Sequence, residues 1–156
     1  MEDYTGVRTF EAAAFLRRCG ADVTRVRKMF RDDVKSYRAK AEAIRHVETY
    51  KTCFAIAVCP SEGIDSPTVV ASQAANELLN VDSIKATFVL TDYQGKIFIS
   101  ARAIDEVNVQ LIMEKMGGGG HINMAGAQLP GVTVEEAIRQ LKATLDQMMK
   151  EGDIEV

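Results

Sequence analysis

The hydrophobic pattern changes character about a third of the way along the chain. In the first part, apolar residues recur at helical spacing between polar ones, which predicts amphipathic helices. We predict three helices here, over residues 10–19, 23–30 and 34–50. The second has an apolar stripe that we expect to face a core, made of Val23, Val26, Met29 and Phe30. The third has few apolar residues, which is typical of a helix that lies between two domains or against one edge.

The second part of the chain alternates between strand and helix patterns. A near-continuous apolar run at residues 53–59, closed by Pro60, predicts a strand buried on both faces. Residues 86–91 and 96–102 predict a hairpin around Gln94 and Gly95. A short strand is expected at residues 127–129, and helices are predicted at residues 67–79, 105–116 and from 134 onward. The pattern predicts an α/β fold, a mixed β-sheet flanked by helices and preceded by helices of another unit.

Side chains that favour helix N-termini support these boundaries. A short polar side chain at the N-cap accepts a hydrogen bond from a backbone amide of the first turn. We expect this role for Thr9, Asp22, Ser66, Asp105 and Thr133. Glu136 lies three residues after Thr133, which is the spacing of a capping box.

Four consecutive glycines, Gly117, Gly118, Gly119 and Gly120, precede His121. A fixed glycine loses much backbone entropy, so such a run is expected where φ is positive or another group approaches closely. Four amides without side chains can form an anion-binding concavity, with His121 at its edge. A structural turn is the alternative. A flexible linker is disfavoured because serine and lysine are absent and a strand-like run follows.

Three polar residues before the glycines are candidates for the same site. Alternation along a strand places Ser100 and Arg102 on one face, where guanidinium and hydroxyl can both bind a phosphate. Asn108 is placed to hydrogen-bond a base or sugar. From these residues alone, a surface arginine beside an ordinary serine, and an exposed helical asparagine, remain open alternatives.

Composition limits the function classes. A formal charge of -3 on 156 residues argues against general nucleic-acid binding through bulk electrostatics. The three cysteines have no metal-ligand or disulfide spacing, which favours free thiols in a reducing cytoplasm. No signal peptide or membrane-spanning apolar run is present in the sequence. The two histidines lack a carboxylate cluster, and no catalytic triad stands out. The sequence therefore predicts anion recognition without catalytic groups and without a metal site.

The order and spacing of the candidate residues resemble the DHH-associated substrate-binding domain of the DHH phosphoesterases, over roughly residues 50–150. Residues 50–156 would be this domain, and residues 1–49 a C-terminal helical remnant of the DHH catalytic domain with a linker helix. The resemblance implies that one set of residues contacts the substrate or its phosphate: Ser100, Arg102, Asn108, Gly117, Gly118, Gly119, Gly120, His121 and Ala125. The family's alanine pair reads Ala125-Gly126 here, which should keep close packing.

Residues 5–16, 20–22 and 104–120 are similar to cyclic-di-AMP phosphodiesterases of the GdpP type. Such proteins hydrolyse cyclic-di-AMP to pApA with Mn²⁺. The resemblance implies a parent enzyme whose Asp-His-His metal motif precedes Met1, so this chain alone should be inactive. The parent would be anchored in the cell membrane, with this domain in the cytoplasm and without membrane contact of its own.

Two alternatives keep the same domain. One is a DHH phosphoesterase acting on short oligoribonucleotides or pAp, and the other is a non-catalytic RNA-binding module like that of alanyl-tRNA synthetases. The expected partners are a cyclic dinucleotide or short nucleotide and the missing DHH domain. A homodimer is left open.

Overall fold

The computed structural model describes residues 5–104 and 107–154. The chain divides into two compact units, one up to Asp33 and one from Val34. The described part of the first unit contains α1 (Val7–Arg18) and α2 (Val23–Met29). That of the second contains, in chain order, α3 (Val34–Arg45), β1 (Glu48–Tyr50), β2 (Phe54–Val58), α4 (Pro67–Leu78), β3 (Ala86–Tyr93), β4 (Lys96–Ala103), α5 (Val109–Lys115), β5 (Gly119–His121), β6 (Met124–Pro130) and α6 (Val134–Glu151).

The two helices of the first unit follow the predicted pattern only in part. Asp22 caps α2 by accepting hydrogen bonds from the Thr24 and Arg25 amides, as predicted. The cap assigned to Thr9 is wrong, because α1 begins one residue after Gly6 and includes Thr9 in its first turn. The apolar stripe of α2 is exposed rather than buried, with Met29 81% exposed. Periodicity identifies the apolar face of a helix, but burial requires a surface packed against it.

The second unit is built on a six-stranded mixed sheet in the order β1-β2-β3-β4-β6-β5. β2 and β3 are parallel, and α4 connects them. The other neighbouring pairs are antiparallel. The β3–β4 hairpin turns at Gln94 and Gly95, whose φ angles are 53° and 72°. The predicted α/β class, the mixed sheet and this hairpin are confirmed.

Helices cover both faces of the sheet. β2 is buried on both sides, as predicted: Phe54 and Ile56 join one apolar cluster, and Ala55 and Ala57 join the other. The first cluster includes α5, α6 and the inward residues of β3, β4 and β6. The second contains residues of α3 and α4 but none of β4 or β6 among the residues described. The β4–β6 surface on the α4 side is therefore left for a site.

Several elements differ from the sequence prediction, among them the strand expected at residues 127–129, which spans Met124–Pro130. The third predicted helix, residues 34–50, ends at Arg45, because β1 pairs with the edge of β2 instead of continuing a helix. The expected cap Asp105 lies outside the described residues, and α5 begins at Val109 after Asn108. The glycine segment is partly a strand, since β5 pairs with β6 across a two-residue turn at Ile122 and Asn123.

Candidate functional site

A cleft of about 700 Å³ opens on the α4 side of the sheet. One wall is the first half of α4, the floor is formed by β4 and β6, and the opposite wall is the glycine segment that leads into β5. The lining residues are Thr68, Val69, Ser72, Phe98, Ile99, Ser100, Gly117, Gly118, Gly119, Gly126, Ala127 and Gln128. The cleft thus brings together parts of the chain that are up to 60 residues apart in sequence (Thr68 and Gln128).

Strand register aligns the predicted phosphate ligands in two rows. Ser100, Gly126 and Gly119 are side by side across β4, β6 and β5. Arg102 and His121 flank Met124 in the adjacent row. β4 alternates without a break through Ser100 and Arg102, and both side chains hydrogen-bond to α4, so their predicted common face is confirmed. Since the backbones of neighbouring strands lie about 4.8 Å apart, the Cα atoms of Arg102 and His121 are about 10 Å apart along this row.

Helix α4 holds the polar side chains of β4. The Ser72 and Ser100 hydroxyl oxygens lie 3.0 Å apart. Arg102 Nε donates to Asn76 Oδ1 at 2.9 Å, and its Nη1 donates to the Ala101 carbonyl at 2.8 Å. These bonds fix the guanidinium beside the cleft. Sequence reasoning missed Ser72 and Asn76, although Thr68, Ser72 and Asn76 recur every four residues along one side of the helix.

Two of the four glycine amides are already used to end α5. Gly117 N–H donates to the Glu114 carbonyl at 3.0 Å, and Gly118 N–H donates to the Met113 carbonyl at 2.8 Å. Together with a φ of 79° at Gly117, this is a Schellman motif. The expectation that all four amides are free to surround an anion is therefore wrong for Gly117 and Gly118. Their place as cleft lining is unaffected, because both lie in the wall.

Gly118, Gly119 and Gly120 differ in the reason why each position lacks a side chain. A Cβ on Gly118 would overlap the Gly126 carbonyl oxygen, and one on Gly120 would collide with Ala125. These two positions allow close packing against β6. A Cβ on Gly119 would meet no protein atom within 4 Å. Of the two reasons expected for these glycines, a positive φ does not apply to Gly119, and close approach of another group stays a prediction. Gly119 lines the cleft, so its missing side chain leaves space there.

Five predicted site residues are not part of the cleft lining: Arg102, Asn108, Gly120, His121 and Ala125. Two of them, Asn108 and Ala125, have structural roles elsewhere. The Asn108 side-chain oxygen accepts hydrogen bonds from the Gln110 and Leu111 amides, which makes it the N-cap of α5. Ala125 is 7% exposed and belongs to the core cluster on the opposite face of the sheet. The contacts predicted for Asn108 and Ala125 with substrate stay predictions, and a contact by Ala125 would involve its backbone.

Catalytic groups are scarce in the described part of the chain. It contains no cluster of three or more His, Cys, Asp or Glu side chains that could hold a metal ion. Burial raises the pKa of Cys59 to about 11, so this thiol is protonated at neutral pH. Within residues 5–104 and 107–154, no helix combines the length and apolar character needed to cross a membrane.

The absence of a side chain at Gly126 also has a structural cause. A Cβ at Gly126 would lie 2.8 Å from the Ile99 carbonyl oxygen on the neighbouring strand. The glycine therefore keeps β4 and β6 close at the floor of the cleft, in line with the close packing expected for the Ala125-Gly126 pair.

The fold places this protein among α/β domains with a mixed sheet and a cleft beside one helix. The chain belongs to the DHHA1 domain family, whose model matches residues 51–151. The resemblance to the DHH-associated domain is thereby confirmed. The division into a catalytic-domain remnant at residues 1–49 and an associated domain at 50–156 stays a prediction.

Similar proteins include two named cyclic-di-AMP phosphodiesterases. The chain is 40% identical over 147 residues to PdeA of Listeria monocytogenes, covering 94% of this chain and 22% of that protein. It is 41% identical over 150 residues to GdpP of Bacillus subtilis, covering 95% of this chain and 23% of that protein. The chain thus spans less than a quarter of the length of these curated relatives.

Solved structures share the fold at lower identity. An exopolyphosphatase-related protein from Bacteroides fragilis matches with a TM-score of 0.77 and 18% identity, over 92% of this chain and 44% of that one. PggH, a pGpG-specific phosphodiesterase from Vibrio cholerae, matches with a TM-score of 0.51 and 16% identity, over 96% of this chain and 53% of that one.

Proposed function

We propose that this chain is the nucleotide-holding part of a larger cyclic-di-AMP phosphodiesterase that hydrolyses cyclic-di-AMP to pApA. The similarity to PdeA and GdpP extends over nearly the whole chain, which supports a parent enzyme of that kind. The observation that carries the proposal is the cleft itself. Ser100 and the glycine segment line it, and Arg102 and His121 lie on the same face of the sheet.

The phosphate of the nucleotide is bound at the row that contains Arg102 and His121. A guanidinium presents planar N–H donors that match phosphate oxygens, and its charge shortens and strengthens those bonds. Asn76 holds Nε of Arg102 at 2.9 Å, so the group is oriented before a ligand arrives. Less side-chain entropy is then lost on binding. His121, on the far side of Met124, adds the N–H of its imidazole ring as a further donor.

The body of the nucleotide lies in the cleft between α4 and β5. Ser100, supported by Ser72, provides a hydroxyl that can donate to or accept from the ligand. Gly119 and Gly126 lack side chains in the same row, so the ligand can approach the backbone closely. Asn108 is retained as an orienting residue in this proposal.

The bond-breaking chemistry is assigned to the rest of the parent protein. The described residues offer no ligand cluster for Mn²⁺, so the proposal assigns the metal to other parts of the parent. Mn²⁺ would supply Lewis-acid chemistry at the phosphodiester there. This chain binds and orients the substrate, and the parent is anchored in the membrane with this part in the cytoplasm.

Isothermal titration calorimetry of the 156-residue chain with cyclic-di-AMP and pApA tests the binding role. We expect saturable binding, and Arg102→Ala should weaken it about tenfold or more, because a charge-assisted hydrogen bond is lost. Arg139→Ala is the matched control, since Arg139 is exposed on α6. No binding of either dinucleotide at millimolar concentration would overturn the proposal.

The substrate choice needs the parent protein. We expect the parent protein to hydrolyse cyclic-di-AMP faster than pApA. A preference for pApA would favour the oligoribonucleotide alternative instead.

A further inference from the structure

One end of the cleft carries an aromatic ring and a primary amide that the proposed phosphate contacts do not use. Phe98 on β4 and Gln128 on β6 are direct partners in the sheet, and both line the cleft. The next row on the same face contains Ser100 and Gly126, and the row after that contains Arg102. The cleft therefore has one end where a flat ring lies beside an amide, and Arg102 lies one row beyond Ser100, outside the cleft lining.

We propose that Phe98 and Gln128 form a nucleobase site that selects adenine over guanine, an inference that rests on the proposed function. Phe98 is half-buried, so part of its ring faces the cleft. Tyr93 packs against it at a tilt of 50°, with ring centroids 6.3 Å apart, and limits its movement. An aromatic ring held in this way is a stacking surface for any base.

Gln128 adds the hydrogen-bond pattern that stacking lacks. Its amide has one acceptor and two donors, which match the N6 donor and N7 acceptor of adenine. Guanine presents acceptors at both O6 and N7, so the Gln128 carbonyl would face another acceptor. Lys96 Nζ lies 3.4 Å from Gln128 Oε1 at the exposed rim, and this contact favours one orientation of the amide.

The spacing along β4 suits one nucleotide. The Cα atoms of residues two apart on a strand are separated by about 7 Å, so the Cα atom of Phe98 lies about 7 Å from that of Ser100 and about 14 Å from that of Arg102. Base and phosphate are separated by a ribose. In this proposal a base stacked on Phe98 has its ribose and phosphate turned toward Ser100, and the long Arg102 side chain extends from the next row.

The test is an NMR titration of the ¹⁵N-labelled chain with 5′-AMP, 5′-GMP and ribose 5-phosphate. These ligands share the phosphate and differ only in the base. We expect AMP to bind about tenfold more tightly than GMP and to shift the Gln128 side-chain amide signals, and we expect ribose 5-phosphate, which cannot stack, to bind most weakly. Phe98→Leu should reduce AMP affinity to that of ribose 5-phosphate, whereas Phe98→Tyr should retain it. Gln128→Ala should make AMP and GMP equal.

Controls separate this inference from the proposed function. Gln147→Ala, on an exposed position of α6, should leave all three affinities unchanged. A well-dispersed spectrum of each variant shows that it is folded. If wild type binds cyclic-di-AMP but does not distinguish AMP from GMP or ribose 5-phosphate, the base site is wrong and the proposed function stands. Equal AMP binding by wild type, Phe98→Leu and Gln128→Ala has the same meaning. If wild type binds none of these ligands, both proposals fail.

Discussion

The hydroxyl oxygens of Ser72 on α4 and Ser100 on β4 lie 3.0 Å apart inside the cleft. This hydrogen bond joins the wall of the site to its floor. Either hydroxyl can be the donor, so the pair can adjust its polarity to a ligand that donates or accepts. It also means that Ser100, which the sequence indicated, is hydrogen-bonded to a helix residue that the sequence did not indicate.

Removing either hydroxyl should therefore weaken ligand binding. We expect Ser100→Ala to reduce the affinity for cyclic-di-AMP about threefold to tenfold, the loss of roughly one neutral hydrogen bond. Ser72→Ala should have a smaller effect, because Ser100 can still contact the ligand. Calorimetry on both variants measures this order. A larger loss for Ser72→Ala than for Ser100→Ala would contradict the assigned roles.

Asn76 should influence binding through Arg102. Its Oδ1 accepts from Arg102 Nε at 2.9 Å, so Asn76→Ala removes one of the hydrogen bonds that orient the guanidinium and leaves its charge in place. We expect a loss of affinity of a few fold, smaller than the loss caused by Arg102→Ala. The dependence of affinity on salt should stay as in wild type, because the number of charges at the site is unchanged. An altered salt dependence in Asn76→Ala would show that Asn76 has another role.

The glycine segment offers a matched pair of substitutions. Gly119→Val should leave the melting temperature near that of wild type, since the added Cβ meets no protein atom within 4 Å and valine suits a strand. Its methyl groups would occupy the cleft, so binding should weaken about tenfold or more.

Gly118→Val, in contrast, should lower the stability of the folded chain. Its Cβ would overlap the Gly126 carbonyl oxygen, so the free energy of unfolding should fall by about 1–3 kcal/mol. Thermal melts beside calorimetry measure both effects. Unchanged binding by a folded Gly119→Val variant would show that the segment is only a spacer.

A pH-dependent contribution to stability is expected at the other edge of the sheet. The Tyr50 hydroxyl donates to Asp146 Oδ1 at 2.9 Å, and Lys51 Nζ lies 3.2 Å from the same oxygen. The Tyr50 hydrogen bond first, and that of Lys51 second, lower the pKa of Asp146. Because the folded pKa is below the unfolded one, the stabilisation is present above about pH 4 and is lost as the pH falls through the folded pKa.

Asp146→Asn should therefore lower the melting temperature at pH 7 by a small amount, and the difference from wild type should vanish in acid. Asp92→Asn, at an exposed position of β3, is the control. A difference that grows on acidification would contradict this sign.

Incubation of the 156-residue chain with Mn²⁺ and cyclic-di-AMP should give no product above background by chromatography. The reason is that bond cleavage is assigned to the rest of the parent. Turnover at the rate of a complete phosphodiesterase would mean that the chain holds a metal site.

The sequence alone determined much of this protein. Alternation and apolar runs predicted the class, the buried β2 and the β3–β4 hairpin, because each pattern reflects local burial at a fixed period. Alternation also placed Ser100 and Arg102 on one face. The glycine run was singled out because glycine at such density requires a backbone reason, and the structure shows one at Gly117, Gly118 and Gly120.

Only the tertiary structure decided how these parts combine. The sequence could not show that β1 replaces the end of a helix, because that choice depends on the hydrogen bonds that β1 makes to β2. It could not show that the Gly117 and Gly118 amides end α5, or that β5 pairs with β6 to bring His121 into the row of Arg102. Ser72, Asn76, Phe98 and Gln128 look ordinary in sequence. They lie in or beside the cleft because α4 packs against β4 and β6 pairs with β4, contacts that local periodicity does not encode.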